Sequence, residues 1–185
     1  MRKILIGSLL AAIAVFIWGF LYWNVFPLKN NVFTPVPDER GLAQELGRYL
    51  SSSGAYAIPD PRSSPDPKGF VGNLENGPIA EILYQKEGSP AVSGGRLLAG
   101  LIHMFLSALL MALLLNLALP QLRSYGSRVT FVLLAGLAGA FFAHLGNPIW
   151  FHQPWSYHIF KTVYDVTCWA LAGLVLARFV RPDAA

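Results

Sequence analysis

The stretch LLAGLIHMFLSALLMALLLNLAL, Leu97 to Leu119, contains no Asp, Glu, Lys or Arg. Roughly 20 apolar residues in a helix cross the hydrocarbon core of a bilayer, so this segment is long enough to do so. Pro120 ends it, because proline cannot continue the backbone hydrogen-bond ladder. In lipid the backbone polar groups must be satisfied within the segment, which makes it a helix and not a strand.

Three further runs have the same character. ILIGSLLAAIAVFIWGFLYWNVF spans Ile4 to Phe26, again without a charge. A secretory signal peptide is the competing reading, since Met1-Arg2-Lys3 is basic and Ala12-Ile13-Ala14 resembles a cleavage site. The apolar run continues well past Ala14, which favours an uncleaved anchor. The third run extends from about Val129 to Leu145, with Asn147-Pro148 as its stop, and the fourth from about Tyr157 to Val180. The composition agrees: of 185 residues, 54% are hydrophobic and 13% charged, with mean hydropathy +0.46. Soluble domains average roughly 25% charged residues. The fold class expected is an all-α transmembrane four-helix bundle carrying a small extracytoplasmic α+β insertion between helices one and two. Its parts are residues 1–26 (first helix), 27–96 (insertion), 97–180 (helices two to four) and 181–185 (tail).

Charge gives the orientation. Arg2 and Lys3 precede the first helix, Arg123 and Arg128 join the second to the third, and Arg178 and Arg181 close the fourth. The short 147–156 loop carries neither Lys nor Arg. The positive-inside rule then places both termini in the cytoplasm. Long loops vote weakly in that rule, so the basic residues of the insertion do not oppose it. Trp18, Trp23, Trp150, Trp155 and Tyr157 gather at the outer helix ends, where aromatic rings with one polar edge favour the headgroup level. Small residues recur at helical spacing, as in Ala135, Gly139 and Ala143 and again in Gly136 and Ala140. Such faces let helices approach closely.

The insertion opens with Pro37-Asp38-Glu39, a helix-start pattern, followed by Leu42, Leu46, Tyr49 and Leu50 at helical spacing. AYAIP (Ala55–Pro59) and PIAEILYQ (Pro78–Gln85) read as strands, and Pro61 to Lys68 as a loop. One amphipathic helix and two or three strands are expected. So small a unit has a thin core, and one cysteine cannot supply an intrachain disulfide.

Four ionisable residues lie at similar depth beneath the expected outer ends of these runs: His103, His144, Lys161 and Asp165. From the expected helix ends they lie roughly 3–12 Å below the outer surface. Ionisable groups within a span are costly and face a partner, water or the bundle interior. One reading is a polar cavity in the outer third of the membrane that binds a solute, an ion or a proton, with a histidine as the titrating member. The plainer reading pairs Lys161 with Asp165 at i, i+4 and gives the histidines interhelical hydrogen bonds. His152 and His158 are expected beside the interfacial aromatic residues, and Ser107 to bond back to its own helix. No zinc spacing, CxxCH motif, nucleophile–base pairing or phosphate loop appears, so neither metal nor cofactor is expected. The modest net charge of +4 is not arranged as a stripe, which argues against nucleic acid.

The opening MRKILIGSLLAAIAVFIWGF (1–20), GAYAIP (54–59), GPIAEILY (77–84) and YDVTCWALAGLVLA (164–177) resemble a set of small bacterial inner-membrane proteins of unassigned function. The resemblance implies four membrane helices with an extracytoplasmic insertion, and it carries no catalytic residue. The function expected is that of a non-enzymatic accessory or assembly component, acting through the insertion and the helix faces. Its partners would be the bilayer and a membrane protein or a second copy. The alternative is binding or transport at the polar cluster.

Overall fold

The computed structural model describes residues 1–64 and 66–182. About 73% of the chain is helical, and four helices are long and apolar enough to cross a membrane. The chain therefore has the make-up of a multi-pass membrane protein. It divides into two compact units, Met1–Thr34 with Val92–Ala185, and Pro35–Ala91.

The first unit holds the four candidate spans. α1 (Arg2–Phe20) runs on through a wider π-type turn at Leu21–Val25. α4 (Gly94–Ala118) is capped by Ser93, whose hydroxyl accepts from Arg96 N, and it ends in a tight 3₁₀ turn through Pro120. α5 (Tyr125–His144) is capped by Ser124, and α7 covers Trp155–Phe179. α1 packs against both α4 and α7, and α5 packs mainly against α7. α1 and α7 run antiparallel. The start of α1 meets the end of α7 at Gly7 and Phe179, and Tyr22 meets Phe160 at the other end.

What these helices bury differs from a water-soluble core. The buried positions are mostly small: Gly7, Ser8, Ala11 and Ala12 on α1, Ala108 and Ala112 on α4, Gly136 and Ala140 on α5, Ala172, Gly173 and Ala177 on α7. Leu106, Leu110 and Leu117 face outward on α4, as do Phe141 and Phe142 on α5. Lipid is as apolar as leucine, so the helices gain from close backbone approach rather than from hiding large side chains. Met111, Leu115, Val132 and Leu176 fill the remaining space at the centre.

The third span departs from expectation. Asn147-Pro148 does not stop it. After a break at Leu145 the chain forms α6 (Gly146–Phe151), so the candidate span is Tyr125–Phe151. Pro148 stands in the first turn of α6, where a missing N–H removes no helical bond. Arg128 lies inside the first turns of α5 and is buried, not in a loop.

The second unit has α2 (Glu39–Tyr49), β1 (Gly54–Ile58), α3 (Pro67–Asn76) and β2 (Ala80–Tyr84), in chain order. The strands pair antiparallel, with Tyr56 opposite Ile82. α2 begins at the expected signal, Asp38 accepting from Gly41 N at 2.9 Å. α3 replaces the end of the loop expected to reach Lys68: Asp66 caps it by accepting from Gly69 N, and Pro67 takes the first helical position. Among the described residues of this unit only Leu50 is buried, so its core is as thin as its size implies.

Candidate functional site

A cavity of about 200 Å³ opens between α1, α4 and α7. Val15 lines it from α1, His103, Met104, Ser107 and Ala108 from α4, and Tyr164, Asp165, Cys168, Trp169 and Ala172 from α7. The residues on α7 follow from helical geometry. Positions 165, 168, 169 and 172 share a face at i, i+3, i+4 and i+7. Space exists there because small side chains stand where the helices converge. Tyr164 meanwhile fills the neighbouring gap, its hydroxyl so near Gly19 that a Cβ at 19 would stand 2.7 Å from it.

Asp165 is the chemical centre. Its Oδ2 lies 2.8 Å from His144 Nε2, and with the carboxylate accepting, the imidazole N–H donates. The carboxylate side chain keeps 34% of its surface open, while the imidazole keeps 12%. The second ring nitrogen of His144, Nδ1, is buried without a hydrogen-bond partner among the described residues. In the tautomer that donates from Nε2, this nitrogen is a proton acceptor. α5 and α7 are thus joined by a polar link beside a cavity that also holds His103.

Three of the four residues expected to cluster are brought to one region: His103 and Asp165 line the cavity, and His144 bonds to Asp165. Lys161 is not among them. Its ammonium stands over the Tyr157 ring, 5.2 Å from the centroid, a cation–π contact with the residue one turn back. The i, i+4 pair with Asp165 is absent because Asp165 has a better partner on α5 and the basic-before-acidic order is the weaker one on a helix. The depth also differs. Asp165 is ten residues into α7, about 15 Å from its start, and Val15 is near the middle of the Arg2–Val25 span. Asp165 and Val15 thus stand near the middle of their helices, and His144 at the end of α5.

Neighbouring residues follow their own logic. Ser107 donates to His103 O at 3.0 Å, so it is a back-bonded helix serine. His158 is buried, with Nε2 2.6 Å from Gln153 Oε1, whereas His152 is exposed at a left-handed turn after α6. Trp18 and Trp23 pack between helices: Trp18 Nε1 donates to Thr167 Oγ1 at 2.9 Å, and Trp23 meets Phe160 and Tyr164 edge-on. Trp150 and Trp155 face outward, and Tyr157 packs against Phe33 and His158. Among the described residues no three His, Cys, Asp or Glu side chains converge as a metal site. Polarity does not mark the cavity members Met104, Cys168 and Trp169, and helical spacing from Asp165 is the signal that finds the α7 pair.

No protein family, curated protein or solved structure matches this sequence.

Proposed function

We propose that this chain is a four-helix bundle of a bacterial cytoplasmic membrane, with both termini inside, that binds a proton or a small cation at the Asp165–His144 pair. One observation carries the reading: a carboxylate near mid-span, bonded to a histidine, opens into a cavity faced by a second histidine. Such groups are costly in a span and belong to ion or proton paths more often than to bare scaffolding. The pair has a place for the charge, since the carboxylate accepts from Nε2 and the lone pair of the buried Nδ1 accepts no hydrogen bond among the described residues. The antiparallel arrangement of α1 and α7 supports termini on one side, and Arg2, Lys3, Arg178 and Arg181 at that end support calling it the inside.

The test is purified protein in liposomes, with a proton or monovalent-cation step applied from either side. Trp169 lines the cavity and reports occupancy by its fluorescence, with Trp169→Phe identifying its share of the signal. A response present in wild type and in Lys161→Ala, and lost in Asp165→Asn, supports the reading. A response or flux that is the same in wild type and Asp165→Asn refutes it.

A second reading, an accessory component acting through the insertion, is favoured by a different observation. Tyr49 and Leu83 are 74% and 80% exposed on a unit with one buried side chain among its described residues. Large apolar side chains left open on so small a unit fit contact with another membrane protein or a second copy. Photocrosslinking from position 83 in whole membranes tests this: a discrete adduct supports it, and labelling of lipid alone refutes it.

A further inference from the structure

At the end of the helical unit where α1 starts and α7 finishes, a second cleft of about 420 Å³ is lined by Tyr125, Arg128, Ala177, Arg178 and Arg181. Three guanidinium groups share it. Among the described residues no carboxylate pairs with any of them, and Asp183, the nearest acid in sequence, lies outside those residues. Three like charges on one cleft repel, and an anion is the simplest occupant to relieve that.

The cleft is prepared for an anion in three ways. Arg128 is buried and fixed: Nε donates to Ala177 O at 3.1 Å, and Nη1 donates to Leu122 O and Arg123 O at 3.2 and 2.9 Å. Nη2 takes part in none of these bonds. Two of the terminal carbonyls of α7, whose partial negative charge would repel an anion, are occupied, Ala177 O by Arg128 and Leu176 O by Val180 N, and Tyr125 donates to Leu174 O a turn earlier at 2.9 Å. Arg178 and Arg181 are exposed and able to close on a ligand. The positive end of the α5 dipole faces the same place.

We propose that this cleft binds a phosphate group, that of an anionic phospholipid. Arginine forks match phosphate oxygens, and basic pockets between membrane helices hold acidic headgroups. The surroundings point to a lipid. Leu174, one turn before Arg178 on α7, is 49% exposed, so an acyl chain can lie along the helix directly below the headgroup.

The experiment uses the full-length protein in nanodiscs of phosphatidylcholine with a minority of phosphatidylglycerol, then native mass spectrometry of retained lipid. Each basic residue near a membrane surface is worth about fivefold in affinity. The Arg178→Gln/Arg181→Gln double variant should therefore lower phosphatidylglycerol retention about thirtyfold, with an unchanged melting temperature. Arg40→Gln/Arg48→Gln, which removes the same charge from the insertion, should leave retention as in wild type. Inorganic phosphate is the soluble arm: failure of millimolar phosphate to displace the lipid supports a headgroup site, while full displacement supports the phosphate chemistry and makes the source soluble. Equal retention by wild type and the 178/181 double variant overturns the proposal. So does an equal fall in both double variants, which would be a net-charge effect. Selective retention that appears only in Asp183→Asn also overturns it, because the chain's own carboxylate then fills the cleft.

Discussion

Replacing Gly136 by alanine tests how tightly α5 and α7 are joined. A Cβ at 136 would stand 2.2 Å from Trp169 Cγ and 2.4 Å from both Trp169 Cβ and Cδ1. Non-bonded carbons settle at about 3.5–4.0 Å, so the indole side must retreat by more than about 1 Å. Turning the ring cannot achieve this, because Trp169 Cβ is fixed to the backbone of α7. The helices must part. Overpacking of this kind costs about 1–3 kcal/mol. It also reaches the site, since His144 and Asp165 bridge the same two helices at 2.8 Å and a separation beyond about 3.5 Å no longer counts as a hydrogen bond. Gly139→Ala is the control: nothing lies within 4 Å of a Cβ there, so its stability should stay within about 0.5 kcal/mol of wild type. Reversible unfolding by SDS in mixed micelles gives both numbers, and Trp169 fluorescence gives the local change. If Gly136→Ala and Gly139→Ala unfold at the same SDS fraction, the close approach of α5 to α7 is wrong.

Arg128→Gln removes a charged donor from three carbonyls, two in the link between α4 and α5 and one in the last turn of α7, and should cost about 3 kcal/mol in the same assay; an unchanged midpoint would mean those carbonyls find water instead. Asp66→Ala removes the cap of α3 and should weaken the insertion by about 1 kcal/mol, seen as faster amide exchange at 69–72 with α2 unaffected. Hydrogen bonds from the Arg62 side chain, then from its backbone N–H, hold the Asp60 carboxyl down from 3.8 to about 2. A carboxyl lowered in the folded state supports its turn fully above the ordinary carboxylate range and loses that support as pH falls through about 2. The Asp60 carboxyl carbon should therefore titrate late by NMR, and Arg62→Ala should return its midpoint to the ordinary range.

The spans were legible because lipid leaves so few options: a long uncharged run must be a helix, and its length can be read directly. Helix rotation was not legible, because it depends on which small-residue face finds a partner. Ala135-Gly139-Ala143 and Gly136-Ala140 look equivalent in sequence, yet Gly136 and Ala140 are buried and Gly139 is open. The same gap hid the bond between His144 and Asp165 and made Lys161 look like the partner of Asp165. Asn147-Pro148 read as a stop because proline breaks helix interiors, and the restart after Leu145 put it in a first turn instead. α3 was missed although Asp66-Pro67 is a sound cap and first position, since Pro61 to Lys68 is dense in turn-forming residues.

The first and last long helices lie side by side, and the helix made just before the last depends on it for most of its contacts. During synthesis α5 enters the bilayer with its chief neighbour still unmade. Its Gly136–Ala140 groove stays open to lipid, or to whatever escorts it, until α7 emerges. The fold is thus completed from its far end, like an arch whose keystone is laid last.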